Sequence, residues 1–252
     1  MFTNCLGEVR HARAPSNAFA WLATLLLLAG LVAGCATTQT VSHVSKLTTT
    51  NEKPRILLMT PDVKYYLLTA GGLTEPHADW TAAAQRNFVA AVQGYATERG
   101  SNLIVMDSSQ PLGELESQYA RLHGAVGNTV LANYFSGPKL PTKGETFDWS
   151  LGPGVSTLGE RYGADYALFS FYRDFQASGG RMAFAVVAAM AGVGISTGGQ
   201  GGFASLVDLK TGEIVWFNLL QAGTGDLRSP EGAHAVMAEI FKDLPRGDGL
   251  AP

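Results

Sequence analysis

Apolar residues in this chain recur in two patterns, short unbroken runs and runs spaced by three or four residues. Residues 55–59 (RILLM) and 103–106 (LIVM) are short and unbroken, which predicts two buried strands. Between them, apolar residues recur at helical spacing until Gly100, and Pro76 stands where a first helical turn accepts proline. The apolar positions of this helix are Trp80, Ala84, Phe88, Val92 and Tyr95. The pattern therefore predicts a strand, a helix and a second strand.

A second amphipathic helix is predicted between residues 112 and 130, and a short one over residues 155–162. Gly124 and Gly127 lie inside the longer helix, and each interior glycine costs about 1 kcal/mol relative to alanine. We therefore expect that helix to break near His123.

The second half of the chain is richer in strand patterns. Residues 164–172 are β-prone and apolar on both faces, which predicts a central strand. Residues 203–208 and 213–220 predict two further strands, and Gly212 between them supplies the positive φ of a tight hairpin. A last helix is predicted to begin at Ser229-Pro230, since serine caps free N–H groups and proline fits the first turn.

This element order predicts the fold class α/β (α+β), with a single mixed β-sheet of about five strands covered by helices. One domain over residues 54–245 accommodates all of these elements. We expect residues 246–252 to form a disordered tail.

The amino-terminal segment has the pattern of a bacterial lipoprotein signal peptide. An uncharged run covers residues 18–34 and is preceded by two arginines. The run ends in VAGC at residues 32–35, whose small residues let a peptidase take the backbone in an extended form. Residues 1–34 are therefore predicted to be removed, and Cys35 to be acylated. The predicted peptidase recognition residues are Val32, Ala33 and Gly34.

The alternative is an ordinary signal peptide or an amino-terminal membrane anchor in which Cys35 is incidental. The uncharged run is short for a spanning helix, which needs about 20 residues. Residues 35–53 are rich in Thr and Ser, which is typical of a flexible tether. A tether of this length would hold the body about 20 Å from the bilayer.

Composition excludes several classes of function. The chain has 18 basic and 21 acidic residues and no basic stripe, so we expect no nucleic-acid partner. Cys5 lies in the segment predicted to be removed, which leaves the mature chain without an internal disulfide. The five histidines lack the spacing of metal ligands, so neither a metal nor another cofactor is expected.

Residues 182–195 (MAFAVVAAMAGVGI) are apolar all round and lie within an uncharged run that reaches residue 207. Fourteen residues are few for a transmembrane helix. One interpretation is a buried helix packed closely against the sheet or against another helix. The other is a contact surface for another subunit, or a segment that enters the membrane, since small residues let helices approach closely.

Two short motifs carry a resemblance to a known family. The sequence GADY at residues 163–166 and VDLKTGEIVW at residues 207–216 resemble the curli-secretion-channel (CsgG-like) family and its relatives, which include the amino-terminal domain of TolB. The resemblance implies an envelope assembly factor, accessory lipoprotein or channel rather than an enzyme. It also implies that the motif residues shape turns and strand entries; these are Gly163, Asp165, Asp208 and Gly212.

Two further expectations depend on this resemblance. Channel members of the family cross the membrane with β-hairpins, from which the helix-like run at residues 182–195 departs. In such lipoproteins an aspartate after the lipidated cysteine signals retention at the inner membrane. Because Ala36 stands there, the resemblance implies the periplasmic face of the outer membrane.

The sharpest enzymatic hypothesis is a serine hydrolase. Ser196 lies in a G-x-S-x-G pattern, and Asp208 and His234 follow in the chain order of an α/β-hydrolase triad. A nucleophile elbow needs a helix directly after its serine, whereas the glycine-rich residues 199–202 would end one. These three residues therefore remain weak candidates, and no catalytic residue is expected.

The sequence as a whole predicts a lipid-anchored, non-catalytic envelope protein that acts in assembly or as an accessory of a larger complex. It would bind the membrane through its acyl chains, and an envelope protein or another copy of itself through residues 182–202. The alternatives are the serine hydrolase and a periplasmic ligand-binding or sensing module with a pocket near residues 194–202.

Overall fold

The computed structural model describes residues 38–42, 44, 46–48, 53–107, 112–220 and 225–247. The signal peptide predicted for residues 1–34 and the lipidation predicted at Cys35 lie outside the described residues.

The described part begins with five strands, after which helices and strands are interspersed. The strands are β1 (Thr38–Ser42), β2 (Lys46–Leu47), β3 (Arg55–Leu58), β4 (Asp62–Leu68), β5 (Thr74–Pro76), β6 (Asn102–Val105), β7 (Tyr166–Ala177), β8 (Gly198–Asp208), β9 (Ile214–Leu220) and β10 (Arg246–Gly247). The α-helices are α1 (Ala78–Glu98), α2 (Glu114–Val130), α3 (Ser156–Tyr162), α4 (Gly179–Met190) and α5 (Pro230–Phe241). A π-helical turn, Leu131–Phe135, follows α2, and a 3₁₀ turn, Pro153–Val155, precedes α3.

Eight strands form one mixed sheet in the order β1-β9-β8-β7-β3-β6, and β4 pairs with both β5 and β7. Strand β7 is central, because it is parallel to β3 and β4 on one side and antiparallel to β8 on the other. The predicted fold class is confirmed, with eight strands in the described part where about five were expected. The additional strands are β1, β4 and β5.

The core has two halves, one on each face of this sheet. Along β7, Tyr166 and Leu168 point towards α1 and α5, whereas Ala167 and Phe169 belong to the half that packs against α2 and α3. All four side chains are buried. The prediction of a central strand that is apolar on both faces is therefore confirmed.

Helix α2 continues through His123, so the predicted break is wrong. The reason lies in close packing: a Cβ added to Gly127 would be 2.0 Å from the ring of Phe203 on β8. Glycine therefore lets the helix approach the sheet, and the burial of neighbouring residues offsets its low helix propensity.

The segment predicted to be a flexible tether, residues 35–53, contains the strands β1 and β2 instead. Strand β1 pairs with β9 from Thr38↔Leu220 to Ser42↔Trp216, and the buried Asn218 donates from Nδ2 to Thr40 Oγ1 at 2.8 Å. Without β1, β9 would expose a free edge and leave that amide donor without this acceptor. Strand β10 pairs with β2, so the predicted disordered tail begins with two strand residues; residues 248–252 lie outside the described part.

Candidate contact surface

Helix α4 lies at the end of the long β7–β8 hairpin. The strands are paired up to Gln176↔Gly198, and the chain between them forms the helix and its return. Ser178 caps the helix by accepting from the backbone N–H of Arg181 at 3.2 Å. The side chain of Arg181 donates from Nε to the carbonyl of Ser196 at 2.9 Å, which fastens the return segment to the first turn.

No residue of α4 is buried, although the helix is strongly apolar. The exposed fractions of its large side chains run from 48 % at Met182 to 84 % at Met190. The interpretation of residues 182–195 as a buried helix is therefore wrong. The helix begins beyond the last paired residues of the β7–β8 hairpin, where the sheet provides no surface to cover it.

Another exposed apolar residue, Leu73, lies next to α4 in the turn between β4 and β5. Leu73 in this turn is 70 % exposed. A Cβ on Gly180 would lie 3.3 Å from the Cβ of Ala70, so the turn and the helix are neighbours. We call the combined surface the apolar tip; it consists of Leu73, Met182, Phe184, Val186, Val187, Met190 and Val193.

The apolar tip gathers nearly all of the exposed large apolar side chains in the described part of the chain. Seven of the eight lie there, and the other is Leu122 on α2. Isolated exposed apolar residues are normal, whereas a contiguous group of this kind marks a surface that contacts something else.

The amino-terminal end of the body points towards the apolar tip. Strands β1 and β8 are both antiparallel to β9 and therefore run in the same direction, away from the tip. Thr38 pairs with Leu220, which pairs in turn with Gly202, only four residues from the start of β8 at Gly198. The chain that precedes Thr38 thus enters the sheet from the end that carries the tip.

Charge is almost absent from this end of the hairpin. Arg181 is the one charged residue between positions 178 and 207. The seven residues of the tip carry no charge, and the chemistry of the tip is that of an apolar surface.

The hydrolase candidates do not come together. Ser196 is exposed, and its hydroxyl accepts from the N–H of Gly198 at 3.4 Å. Asp208 stands at the other end of β8, about 34 Å along an extended strand, where its carboxylate accepts from the N–H of Lys210 at 2.7 Å. His234 is exposed on α5. These positions rule out a triad built from the three residues.

One serine and one histidine do meet inside the protein. His123 on α2 lies 2.9 Å from Ser205 on β8, measured from Nε2 to Oγ, and both residues are buried. The ring stacks on Phe169 at 5.0 Å and is tilted against Phe203. Burial lowers the pKa of His123 to about 3. This neutral, buried pair connects α2 to the sheet. Because the two residues are 82 positions apart in the chain, the sequence did not indicate that they meet.

Glu116 is buried at the start of α2. One oxygen, Oε1, accepts from Arg161 at 2.7 Å and from Tyr162 at 2.8 Å. Burial alone would raise the pKa of Glu116, but the hydrogen bonds of its own backbone N–H, of Tyr162 and of Arg161 outweigh it and lower that pKa. The carboxylate folds over Gly113, where an added Cβ would meet it at 2.3 Å. Glu116 therefore joins the start of α2 to α3, a contact that sequence spacing alone did not reveal.

A polar cluster fixes the segment before α5 to the sheet. Asp226 accepts from Arg228 through both carboxylate oxygens, at 2.9 and 2.7 Å, and from the hydroxyl of Tyr65 at 3.2 Å. Arg228 also lies over the ring of Trp80 at 4.6 Å. The pKa of the buried Asp174 nearby is raised because burial disfavours its charged form. All of these contacts are internal and fix the start of α5.

A cleft of about 510 Å³ lies beside the first residues of β8. Its floor is the glycine-rich start of β8, residues 199–202, and its walls include Phe171, Phe175 and Leu131. Arg173 also lines the cleft, with its guanidinium 3.8 Å from the centre of the Phe171 ring and hydrogen-bonded to Asp62. The cleft is open and could receive a small ligand.

Neither a cluster of metal ligands nor a helix long and apolar enough to span a membrane is present among the described residues. No three His, Cys, Asp or Glu side chains in this part of the chain lie close enough together to hold a metal ion. None of its helices combines the length and the hydrophobicity needed to cross a membrane.

Comparisons with known proteins identify no family for this chain. No family model matches it, and no curated protein matches it. Among solved structures it is similar to two PelC dodecamers from Paraburkholderia phytofirmans, one of them a single-substitution variant. The variant gives a TM-score of 0.40 and 11 % identity over 84 % of this chain and 99 % of the other; the second gives 0.39 and 10 % over 84 % and 98 %. Likenesses this distant carry no argument about family, assembly or function.

Proposed function

We propose that this protein is a lipid-anchored, non-catalytic component of the bacterial cell envelope that acts in assembly or as an accessory of a larger complex. It is cleaved after Gly34, acylated on Cys35 and held at the periplasmic face of the outer membrane. The observation that carries the proposal is the apolar tip, because an exposed apolar surface lies at the end where the chain from Cys35 enters the body. The CsgG-like motifs and the VAGC sequence at residues 32–35 support the same role.

Mass spectrometry of the purified protein tests the anchor. The wild-type chain should lack residues 1–34 and carry acyl chains, whereas Cys35→Ala should remain unprocessed and unacylated. Cys5→Ala is the matched control, because it changes the only other cysteine and should be processed like the wild type. Normal processing of Cys35→Ala would show instead that the segment is an ordinary signal peptide.

The non-catalytic role is tested with a fluorophosphonate probe. Ser196 is exposed, and the hydrogen bond of its hydroxyl is with the backbone N–H of Gly198 at 3.4 Å rather than with a general base, so we expect no covalent modification. Ser196→Ala serves as the matched control for any background labelling. Modification that disappears in this variant would establish a reactive serine and contradict the proposal.

The accessory role is tested by affinity purification of the acylated protein from solubilised membranes. We expect a stoichiometric complex, either with another envelope protein or with further copies of this chain. A protein found alone and monomeric in the membrane would contradict the role in assembly.

A second candidate function is supported by the cleft beside β8. Its glycine floor and aromatic walls fit the periplasmic ligand-binding or sensing module that the sequence left open. Gly201→Leu would place a side chain at this floor and should abolish binding of any ligand that raises the melting temperature of the wild type. If both proteins respond alike to such a ligand, the cleft is not its site.

A further inference from the structure

We propose that α4 and the adjoining turn insert into the bilayer surface beside the lipid anchor, so that the body is held at the membrane by two neighbouring contacts. This inference rests on the proposed acylation of Cys35. It assigns the apolar tip to lipid rather than to a protein partner.

The first argument is the short stretch of chain between the anchor and the end of the sheet that carries the tip. Cys35 precedes Thr38 by three residues, and three extended residues reach no further than about 10 Å. Since β1 starts at the end of the sheet that carries the tip, acyl chains on Cys35 would bring this same end to the membrane. A tether that ended at residue 53 would let the body turn freely, whereas β1 leaves only residues 36 and 37 between Cys35 and the sheet.

The second argument is the width of the exposed surface of α4. At 100° per residue, the large exposed side chains of the helix spread over about 200° of its circumference. They are Met182, Phe184, Val186, Val187 and Met190. A single partner helix covers a stripe of about 100°, whereas lipid surrounds every exposed side of an inserted helix. The less exposed residues Arg181, Ala185 and Ala188 occupy the remaining side.

The third argument is the absence of polar groups from the surface itself. Residues 182–195 contain no hydroxyl, amide or charged side chain. Protein interfaces combine an apolar centre with a polar rim and about one hydrogen bond per 100–200 Å². A bilayer interior needs no such partners, because the backbone groups of α4 are satisfied within the helix.

The dimensions of α4 fit insertion without crossing. Twelve residues form a helix about 18 Å long, which is shorter than the hydrocarbon core of about 30 Å. Arg181 lies in its first turn on the side of the helix away from the large apolar residues, where its Nε is bonded to the carbonyl of Ser196, so no charged side chain accompanies those residues into the acyl chains. Leu73 adds an apolar contact from the neighbouring turn.

The test uses the full acylated protein in vesicles of phosphatidylethanolamine and phosphatidylglycerol. Phe184→Cys and Val187→Cys are labelled with the environment-sensitive fluorophore NBD, and Leu122→Cys is the matched control because it is also exposed but lies on α2. Labels on α4 should shift to shorter wavelength, be quenched by doxyl-labelled lipids and be several-fold less sensitive to aqueous iodide than the label at position 122.

Two results would overturn the insertion of α4. The first is iodide quenching at position 184 equal to that at position 122. The second is protection from iodide without quenching by doxyl lipids, which would mean that a second copy or another protein covers the tip.

The same experiment reports separately on the anchor. With Cys5 removed and Cys35 acylated, the wild-type protein has no free thiol and should take up no label. Label on wild-type Cys35 would contradict the proposed acylation, while the quenching of the α4 labels would still decide whether the tip enters lipid.

Discussion

Helices α4 and α5 both have twelve residues, and both begin after a serine whose hydroxyl accepts a backbone N–H three residues further on, at 3.2 Å in α4 and 3.0 Å in α5. Both are rich in apolar residues. Helix α5 buries five of them against the sheet and α1, whereas α4 buries none. The buried residues of α5 are Ala233, Val236, Met237, Ile240 and Phe241.

The difference lies in placement along the sheet. Helix α5 returns over the paired strands and contributes to the core, while α4 sits beyond the end of a hairpin. Hydrophobicity alone therefore does not make a core helix. In this protein the apolar residues of α5 stabilise the fold, and those of α4 are available for contact with lipid.

The largest expected difference is between the losses of unfolding free energy in Phe241→Ala and in Phe184→Ala. Phe241→Ala removes a ring that is 1 % exposed, and large-to-small changes of this kind cost about 3–5 kcal/mol. Phe184→Ala, at a position 51 % exposed, should change the free energy of unfolding by less than about 1 kcal/mol. Urea denaturation of the detergent-solubilised protein measures both. Equal losses in the two variants would mean that α4 packs against the body after all.

Lowering the pH should reduce the free energy of unfolding through His123 on α2, whereas α4 contains no group that titrates in this range. The pKa of His123 falls from 6.5 to about 3 on folding because burial disfavours its charged form, so the unfolded chain binds more protons between these values. Stability should therefore fall as pH falls through this window, by up to about 1.4 kcal/mol per pH unit from this residue.

His123→Gln removes this titration and keeps a polar side chain near Ser205. Its free energy of unfolding should depend less on pH than that of the wild type between pH 6.5 and 4, as measured by urea denaturation at each pH. Parallel pH profiles for the two proteins would contradict the assignment of a neutral buried histidine.

A smaller effect is expected at the two serine caps. Ser229→Ala should lower the global free energy of unfolding by about 1 kcal/mol, because α5 unfolds together with the core. Ser178→Ala should leave global unfolding nearly unchanged and instead increase hydrogen exchange at the α4 amides, since that helix adds little to the core. A global loss in Ser178→Ala equal to that in Ser229→Ala would remove the distinction between the two helices.

The sequence predicted those elements whose apolar pattern is complete within a short segment. The central strand β7 and the capped helix α5 are examples, because their burial follows from local pattern and capping. Strand β4 alternates buried Val63 and Tyr65 with exposed Lys64, a signal that was present but short. Strand β1 carries almost no apolar signal, since it exists through pairing with β9 some 178 residues away.

The candidate surface was predictable only in part. The composition of residues 182–195 showed an unusual apolar segment, but not whether the fold would cover it. That outcome depends on how far the sheet extends beyond Ala177 and Gly198, which is set by long-range pairing. The proximity of Leu73, and the direction from which the chain enters β1, likewise follow from topology rather than from local sequence.

The most direct test of membrane contact at the apolar tip is cross-linking of the acylated protein in vesicles that contain a phospholipid with a photoreactive diazirine in its acyl chain. After illumination and proteolysis, mass spectrometry locates the lipid adducts. We predict adducts in the peptide that contains residues 182–193 and none in the peptide of α5. Adducts spread equally over both helices, or absent from residues 182–193, would contradict insertion of the tip into the bilayer.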